Sequence, residues 1–433
     1  MLSKEENELL SRVGSGTPMG NVMRHYWLPG ALSGELTEPD GRPLRMRLLG
    51  ENLIAYRDSA GSVGMLGDNC PHRGASLFFG RNEDEGLRCV YHGWKFDLTG
   101  RCVDMPNEPP ESNFKDKIRH RAYPCREAGD IIWTYMGPRD VPPPLPRFEF
   151  VEVPAERRFP MEVMWRNCNW LQALEGCLDS SHVYFLHSRL HADDDPQIGV
   201  YHPDRHPRFE LVPTDWGLMY GARREEDAAH FYWRVTQYLL PYTLLFPSFA
   251  AWRGAIPGHM WVPVDDYNVL NWTFRYQPEL PFTPEERRQG WGPIMDSRYL
   301  PETTEPFGWT KPIGRLENDY LLDPEVQRAR TFTGIPGALL QDQAVTESMG
   351  TIFDRRTEHL GSSDLAVIQA RQLLLRLLHA YKDDGVMPPG IEQPDLYRRR
   401  SASVILPKEE NWVESTAGWV NARPGALQGV LGN

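Results

Sequence analysis

The chain has few cysteines, no excess of basic residues and no long apolar run. Six cysteines in 433 residues are too sparse for a disulfide scaffold, which favours a reducing compartment. The formal net charge of −12 disfavours a nucleic-acid partner, because phosphate binding needs a clustered basic face. No apolar run approaches the roughly 20 residues that cross a bilayer, and the N-terminal segment is acidic where a secretory signal is basic and then apolar. We therefore expect a cytoplasmic protein with no membrane or nucleic-acid partner.

Two regions of different pattern divide the sequence. Residues 26–135 contain short alternating apolar runs separated by Pro-Gly and Asp-Gly pairs, a pattern typical of strands and turns. The proline-rich segment 141–146 can continue neither a helix nor a central strand, so it marks a boundary. Beyond it, helical patterns at 165–187 and 364–381 flank long alternating strands at 209–246.

These patterns predict two domains of different class. The length exceeds a single ordinary core and fits about two or three domains. A short helix is expected near the N-terminus, where Ser3 and Glu6 form a capping-box pattern. The predicted order is an all-β domain at 1–140, a linker at 141–150 and a mixed domain at 151–433.

Two short motifs each hold one cysteine and one histidine close enough to bind a single metal atom. The first reads Cys-Pro-His-Arg-Gly from residue 70, and the second reads Cys-Val-Tyr-His-Gly-Trp from residue 89, with 16 residues between His72 and Cys89. Such a set suits either a tetrahedral structural zinc or a [2Fe–2S] centre in which two cysteines hold one iron and two histidines hold the other. The four candidate ligands are Cys70, His72, Cys89 and His92.

The mixed composition of each motif favours the iron–sulfur cluster. Zinc fingers usually place the cysteine pair on one loop and the histidine pair later on a helix, whereas here each loop contributes one of each. Gly74 and Gly93 lie directly behind the ligands, where close approach of the backbone to bridging sulfides needs residues without a side chain. A structural zinc remains the less favoured alternative.

These motifs resemble the cluster motif of the Rieske non-haem iron oxygenases. The sequence from Asp68 to Trp94, together with Met105 and Pro106, is most similar to that of the phthalate dioxygenase-like branch. The similarity extends over nearly the whole chain. The resemblance implies an α+β fold, with an all-β Rieske domain followed by a catalytic domain of helix-grip type, in which helices pack on a curved antiparallel sheet. It also implies the cofactors: a [2Fe–2S] cluster, a mononuclear Fe(II), O2 as co-substrate, and NAD(P)H through a reductase.

A second group of polar residues lies just after the predicted boundary. Asp179, His182 and His187 fall within nine positions of a helical pattern, and the first two share a helix face. At about 100° per residue, His187 would lie about 140° from His182 on an unbroken helix, so both can bind one metal only if the helix bends or ends between them. Taken alone, the spacing suits ordinary helix histidines equally well. It resembles the family's mononuclear iron site, in which two histidines and one carboxylate occupy one face of Fe(II).

The missing carboxylate has several candidates, of which Asp342 is preferred. Asp342 lies between apolar residues on a plausible buried helix, and a buried, unpaired carboxylate is costly unless a metal or a hydrogen-bond partner neutralises it. Its surroundings, Gln-Asp-x-Ala-Val-x-Glu-Ser, also resemble the family segment that carries the third ligand. Glu347 and Asp354 are the alternatives, although capping or surface roles are expected for both.

The resemblance assigns Asp179 to a different task from metal binding. In the family, a carboxylate at this position links a cluster histidine of one subunit to an iron histidine of its neighbour, because the two centres within one chain are too far apart for fast electron transfer. The resemblance therefore implies a head-to-tail ring, typically a trimer, in which His72 or His92 faces Asp179 across the interface.

The leading functional hypothesis is the oxygenase component of a Rieske-type system. It would dihydroxylate an aromatic, carboxylate-bearing substrate with electrons from a flavin and iron–sulfur reductase. The alternatives are monooxygenation, such as O-demethylation of a methoxylated aromatic acid, and a Rieske electron carrier without oxygenase activity, for which the first ~140 residues would be enough. A substrate carboxylate needs a cation. The candidates in the strand-rich region are Arg208, Arg223, Arg224, Arg234 and Arg253, with Arg208 and Arg234 preferred.

Overall fold

The computed structural model describes residues 2–248, 254–291 and 298–423. The chain forms two compact units, which we call the N-terminal unit and the catalytic unit. The N-terminal unit comprises Val13–Leu145 and Pro301–Trp309. The catalytic unit comprises the described residues up to Arg12, Pro146–Leu300 and those from Thr310 onward. The main division between the two units falls between Leu145 and Pro146, within the proline-rich segment.

The N-terminal unit is built on two antiparallel sheets, as the alternating pattern predicts. One sheet has the strand order β1-β10-β9-β4-β3-β2 and the other has the order β5-β6-β7-β8. The strands of the first sheet are β1 (Trp27–Leu32), β2 (Leu44–Leu48), β3 (Glu51–Arg57), β4 (Val63–Gly67), β9 (Ala122–Ala128) and β10 (Ile131–Tyr135). Those of the second are β5 (Arg81–Glu83), β6 (Gly86–Arg88), β7 (Lys95–Phe96) and β8 (Cys102–Asp104).

Two loops of this unit carry the cysteine and histidine motifs. The first loop joins β4 to β5, and the second joins β6 to β7. Both cysteines are buried in one apolar cluster that includes Leu77, Leu87 and Phe96. The second sheet therefore holds the two motifs against a shared core.

The limits of the units differ from the predicted domains in two places. The N-terminal helix α1 (Lys4–Ser11), whose capping box is formed as predicted, belongs to the catalytic unit, where Asn7 donates to the carbonyl of Phe353. Residues 301–309 belong to the N-terminal unit, where the indole of Trp309 donates to Glu35. Both exceptions depend on contacts between residues hundreds of positions apart, which local pattern does not encode.

The catalytic unit contains one long antiparallel sheet with the order β11-β17-β16-β15-β14-β13-β12, and β18 pairs with β14. The strands are mostly buried on both faces, because helices cover the sheet. This arrangement confirms the α+β prediction. The strands are β11 (Glu162–Arg166), β12 (Arg208–Thr214), β13 (Gly217–Glu225), β14 (His230–Leu239), β15 (Thr243–Leu245), β16 (Ile256–Pro263), β17 (Val269–Tyr276) and β18 (Ala402–Pro407).

Three helices of this unit matter for the site described below: α4 (Trp170–Leu178), α5 (Val183–Leu186) and α8 (Ala338–Ser348). The longest helix, α9 (Leu365–Asp384), packs against β12 and β13. None of the helices in the described ranges combines the length and the apolar character that crossing a membrane requires. The remaining α-helices are α2 (Pro18–Arg24), α3 (Glu149–Glu152), α6 (Pro284–Gln289), α7 (Pro324–Ala329) and α10 (Trp412–Val420).

One prediction of local structure was wrong, and another was right only in part. The helical segment 165–187 begins in strand β11 and becomes helical only at Trp170, after Asn169 caps the helix. The helical period of 364–381 predicts a stripe of Leu365, Ile368, Leu375 and Leu378, of which only Leu378 is fully buried. The buried stripe of α9 runs instead through Val367, Ala370 and Leu374 to Leu378. Small residues on that face allow close packing against the sheet, a tertiary effect that overrides a stripe defined by hydrophobicity alone.

Candidate active site

The two cysteine and histidine loops fold in the same way. In the first loop the N–H of Gly74 donates to the carbonyl of Cys70 at 2.9 Å, and in the second the N–H of Gly93 donates to the carbonyl of Cys89 at 2.9 Å. The N–H of each cysteine donates to a carbonyl five residues later, at 2.8 Å in both loops. These matching hydrogen bonds explain why a glycine follows the cysteine by four positions in both motifs.

Glycine is required in these loops mainly by backbone conformation. Gly74 and Gly93 have φ of +76° and +80°, in the left-handed region that residues with a side chain rarely adopt. A Cβ at Gly93 would also lie 2.6 Å from Cγ of Pro106, whereas a Cβ at Gly74 would meet nothing within 4 Å. The expected close approach of the backbone is therefore not needed to explain Gly74.

The loops bring the four candidate ligands of the cluster side by side. The imidazole centroids of His72 and His92 are 4.4 Å apart, and the His72 ring stacks on Trp94 at 4.4 Å. Cys70 and Cys89 are buried, and burial, together with the neighbouring Cys89 thiol, raises the pKa of Cys70 to about 11. Nδ1 of His92 is buried without a hydrogen-bond partner among the described residues. Two paired thiols and two paired imidazoles, one with an unsatisfied buried nitrogen, fit a cluster with one sulfur-bound and one nitrogen-bound iron.

The second group of polar residues lies where α4 ends. Helix α4 stops at Leu178, residues 179–182 form a turn, and α5 is a single turn that ends at Leu186, with His187 as its C-cap. The break between the two histidines, which a shared metal required, lies at Tyr184, whose φ of −95° and ψ of 16° are not helical. Asp179 and His182 do not share a helix face, because Asp179 ends α4 and His182 precedes α5.

Three side chains from this turn and from α8 converge on one point. Nε2 of His182 and Nε2 of His187 are 3.2 Å apart, and Oδ1 of Asp342 lies 3.6 Å and 3.1 Å from these two nitrogens. Metal–ligand bonds of about 2.1 Å at right angles place neighbouring ligand atoms about 3.0 Å apart. Within the described residues, His182, His187 and Asp342 form the one group of three potential ligands with such spacing. The donor set fits a metal bound on one face by two imidazoles and a carboxylate.

Gln341, which the sequence analysis did not identify, orients one of these imidazoles. Nδ1 of His187 lies 2.7 Å from Oε1 of Gln341, and the amide nitrogen of Gln341 donates to the carbonyl of Ile335 at 2.8 Å. Because the amide nitrogen is engaged elsewhere, Oε1 must accept from His187. Nδ1 therefore carries the proton, and Nε2 is left as a lone-pair donor that faces Asp342. Gln341 begins the segment that resembles the family's third-ligand segment, but nothing in the sequence indicates that its amide reaches His187.

The electrostatics of the three side chains suit metal binding. Burial raises the pKa of Asp342, but the imidazoles of His187 and His182 outweigh burial and hold that pKa far below its usual range. Burial lowers the pKa of His182, but Asp179 and Asp342 outweigh it and leave the pKa raised. The carboxylate of Asp342 is thus ionised, and both imidazoles lie beside its negative charge. A metal cation can take the place of the protons that such a group of side chains would otherwise bind.

The carboxylate of Asp179 stabilises the turn 179–182 through hydrogen bonds to its backbone. Its Oδ1 accepts from the N–H of Ser181 at 2.6 Å, and its Oδ2 accepts from the N–H of His182 at 3.3 Å. Its Oδ2 lies 3.7 Å from Nδ1 of His182, beyond hydrogen-bond distance. Burial raises the pKa of Asp179, but the His182 imidazole and these backbone N–H groups outweigh burial and lower it.

A cavity opens beside the three converging side chains. Its wall is mainly apolar and aromatic, and it includes Phe246, Trp261 and Leu339. Two arginines also line it: Arg234, one of the two preferred candidates, and Arg166, which the sequence analysis did not identify. Both are buried, with 3% and 1% of their surface exposed.

The other arginines lie elsewhere. Arg208 is exposed on β12 and, with Arg223, lines a separate surface pocket rather than the cavity. Arg224 is buried and contacts the turn at Ser180. Arg253 lies outside the described residues.

The alternative carboxylates have other partners. Glu347 accepts from the N–H of Asn167 at 2.7 Å and from the hydroxyl of Tyr320 at 2.6 Å. Asp354 pairs with Arg356 at 2.7 Å on the surface. Neither belongs to the group of converging ligand atoms.

The fold and these two donor sets define a protein of two metal centres, an iron–sulfur cluster in a β domain and a mononuclear metal in an α+β domain. Residues 26–124 match the Rieske [2Fe–2S] domain family, and residues 134–428 match a family described as LigXa C-terminal domain like. The chain belongs to the Rieske non-haem iron oxygenases, in the branch that includes the oxygenase subunit of phthalate dioxygenase. Its cofactors are those of the family, the [2Fe–2S] cluster and a mononuclear iron, and the alternatives of a structural zinc and a simple electron carrier are excluded.

Curated relatives cover almost the whole chain. The 3-chlorobenzoate-3,4-dioxygenase oxygenase subunit of Comamonas testosteroni is 40% identical over 95% of this chain and 97% of its own length. The phthalate 4,5-dioxygenase oxygenase subunit of Pseudomonas putida is 37% identical over 97% of this chain and 96% of its own. The 5,5'-dehydrodivanillate O-demethylase oxygenase subunit of Sphingobium sp. (strain NBRC 103272 / SYK-6) is 32% identical over 87% and 80%.

Solved structures share the fold at low identity. Dicamba monooxygenase bound to dicamba is 18% identical, with a TM-score of 0.58 over 82% of this chain and 98% of that chain. The oxygenase of carbazole 1,9a-dioxygenase, in complex with its ferredoxin, is 19% identical, with a TM-score of 0.55 over 89% and 96%.

Proposed function

We propose that this protein is the terminal oxygenase component of a system that hydroxylates an aromatic carboxylate. In this proposal Cys70, Cys89, His72 and His92 hold the cluster, and His182, His187 and Asp342 hold Fe(II). The domains proposed along the sequence are a Rieske domain at 1–140, a linker at 141–150 and a catalytic domain at 151–433, except that α1 and residues 301–309 each belong to the other unit. When bound, the cluster supplies single electrons and the iron supplies a site for O2.

The cluster assignment has a direct test. Purified protein should contain acid-labile sulfide and two irons per chain that are held independently of the mononuclear site. Replacing His72 by Cys should shift the absorption of the cluster toward that of an all-cysteine centre or abolish the cluster. One zinc and no sulfide per chain would contradict the assignment.

The substrate class rests on Arg234, a buried cation in the wall of the cavity that His182, His187 and Asp342 share. Its guanidinium donates to the carbonyl of Pro247 at 3.0 Å, which fixes the orientation of the group. A substrate carboxylate loses its hydration in such a cavity and needs a charged donor in return. The apolar and aromatic wall then accommodates a ring. Two of the relatives above, named for 3-chlorobenzoate and phthalate, also act on aromatic carboxylates.

Replacing Arg234 by Met tests the substrate class. We expect KM for 3-chlorobenzoate, phthalate or whichever aromatic acid is turned over to rise by about 10-fold or more, since hydrogen bonds to charged groups contribute roughly 1.5–3 kcal/mol. The effect should be small for an uncharged analogue of the same ring. Arg223→Met is the matched control, because Arg223 lies on the neighbouring strand β13 but outside the cavity. An equal effect on the acid and on its uncharged analogue would contradict the proposal.

O-demethylation of a methoxylated aromatic acid is the second candidate reaction. It is favoured by the similarity to the 5,5'-dehydrodivanillate O-demethylase oxygenase subunit and by the match to the LigXa-like C-terminal domain. Product analysis distinguishes the two reactions. Formaldehyde released in proportion to substrate consumed supports demethylation, whereas a dihydrodiol that retains both oxygen atoms of labelled O2 supports dihydroxylation.

The electron supply and the assembly are also proposed. A flavin and iron–sulfur reductase would deliver electrons from NAD(P)H, and the chain would form a head-to-tail trimer in which Asp179 links the iron histidine of one subunit to a cluster histidine of the next. Asp179 is positioned for such a role because it is 26% exposed at its side chain while its oxygens hold the turn. None of the six cysteines forms a disulfide, which agrees with the cytoplasm as its compartment.

A further inference from the structure

Strand β13 contacts the backbone on both sides of Asp179. The hydroxyl of Tyr220 donates to the carbonyl of Leu178 at 2.6 Å, and the guanidinium of Arg224 donates through Nη2 to the carbonyl of Ser180 at 2.9 Å. Residues four apart on a strand point to the same face, so one rigid element supplies both donors. Each donor is 1% exposed.

Arg224 also reaches beyond His182. Its guanidinium carbon lies 4.4 Å from the ring centroid of Tyr184, which follows His182 in the short helix α5. The arginine thus contacts the chain two residues before and two residues after this histidine. Arg224 does not line the cavity, so its influence on the metal passes through the turn, whereas Tyr220 lines the cavity together with the three ligand side chains.

We infer that Tyr220 and Arg224 form a clamp that positions His182 and Asp179, an inference that rests on the proposed metal site. The turn 179–182 lies between two helices. The N–H of Asp179 donates to the carbonyl of Glu175, and the carbonyl of His182 accepts from the N–H groups of Phe185 and Leu186, so helical hydrogen bonds hold the two ends of the turn but not the groups between them. The Asp179 carboxylate accepts from the N–H groups of Ser181 and His182, and the clamp donates to the carbonyls of Leu178 and Ser180. The backbone that carries the first iron histidine therefore has fixed partners for both its donors and its acceptors.

The burial of the Arg224 guanidinium is unfavourable for the stability of the fold, so stability alone does not explain it. Its Nε and Nη1 are buried and have no hydrogen-bond partner among the described residues. Arg355, a fully buried arginine of the same unit, instead uses three nitrogens on Glu175 and Asn7. A buried cation with so little compensation destabilises a core, which is consistent with a role in fixing the site.

The clamp predicts that metal binding responds to changes on β13. Tyr220→Phe keeps the ring and removes one hydroxyl, and Arg224→Met keeps most of the apolar stem and removes the donors. Each protein is prepared with its cluster loaded and its mononuclear site emptied, and Co(II) is then titrated. The EPR spectrum of Co(II) reports the ligand geometry, and the oxidised cluster gives no signal that would overlap it.

We expect each variant to bind Co(II) about 10-fold more weakly and to change its EPR spectrum, a size typical of groups that orient metal ligands. Arg224→Lys, which keeps a cationic donor, should lose less affinity than Arg224→Met. Arg223→Met is the matched control and should bind as the wild type does, because Arg223 points to the opposite face of the strand.

The outcomes separate the clamp from the proposed function. Wild-type protein that binds no Co(II) would contradict the proposed metal site. Wild-type binding together with unchanged affinity and EPR in both variants would overturn the clamp, even if the variants unfold at lower temperature, because packing alone would then explain the two residues. If Arg224→Met does not fold, the single hydroxyl removed in Tyr220→Phe still decides the question.

Discussion

Nδ1 of His187 lies 2.7 Å from Oε1 of Gln341, and this hydrogen bond fixes which nitrogen of the imidazole faces the carboxylate of Asp342. The bond joins two parts of the chain that are 154 positions apart, the end of α5 and the middle of α8. Because Gln341 and Asp342 are adjacent on α8, one helix supplies both a ligand and the group that orients another ligand.

Removing this orienting group should weaken iron binding without removing a ligand. We expect Gln341→Leu to lower the affinity for Fe(II) by about 10-fold to 100-fold, the usual cost of losing such a partner. Fe(II) titration of protein with its cluster loaded measures the effect. Gln341→Glu, which retains an acceptor for His187, is the matched control and should lose less. Equal affinity in Gln341→Leu and wild type would show that packing alone fixes the His187 ring.

Replacing Asp342 by Ala tests the third ligand. We expect loss of the mononuclear iron and of all oxygenation, while the absorbance of the cluster is unchanged, because the cluster ligands lie in the other unit. Iron analysis before and after the substitution should show the loss of one iron per chain. The matched control is Asp354→Ala, which removes a surface acid paired with Arg356. Retained turnover in Asp342→Ala would transfer the role to Glu347 or Asp354.

Most of the donor set was accessible from the sequence because its members lie close together along the chain. The spacing of His182 and His187 demanded a break in the helix, and the structure contains that break. Asp342 lies far from both, and it was found only through its apolar neighbours and the family resemblance. Gln341, Arg166 and Tyr220 were missed, and Arg224 was considered only as a cation for the substrate, because a residue that acts through a long-range hydrogen bond leaves no periodicity or spacing. Arg208 was misplaced for a related reason, since alternation along a strand does not show which face meets the cavity.

A buried ion network supports the helix that leads to the site. Glu175 on α4 accepts from Arg355 at 2.9 Å and from Arg371 at 2.6 Å, and Arg371 also pairs with Glu358. Glu175→Gln removes one charge from this network and leaves two buried cations with less compensation. We expect the free energy of unfolding to fall by about 3 kcal/mol or more, as measured by urea denaturation. Glu152→Gln, which removes one partner of the half-exposed pair with Arg147, should cost less than about 1 kcal/mol.

The effect of Glu175→Gln should also depend on pH. Burial raises the pKa of Glu175, but the two arginines outweigh burial, and the folded-state pKa lies below the ordinary value of 4.5. A carboxyl with a depressed pKa stabilises the fold above its unfolded-state value, and this contribution is lost as the pH falls through the folded-state value. The difference between wild type and variant should therefore be constant near neutral pH and shrink as the pH falls below about 4.5. A difference that grows in acid would show that Glu175 is protonated in the native state.

The last prediction concerns Asp179, whose two proposed roles can be separated by one substitution. Asp179→Asn keeps the size of the side chain and an oxygen that can accept from the N–H of Ser181, so the turn and the clamp should persist. The substitution removes the negative charge that faces His182 and that, in the proposed trimer, would link two subunits. We expect both metals to bind, the trimer to form and the reductase to reduce the cluster, whereas turnover falls by about 10-fold or more. Reoxidation of the reduced cluster, followed by absorbance in a single turnover with substrate and O2, locates the loss. An unchanged rate of cluster reoxidation would show that Asp179 only stabilises the turn. A loss of iron in proportion to activity would show that Asp179 orients His182 instead.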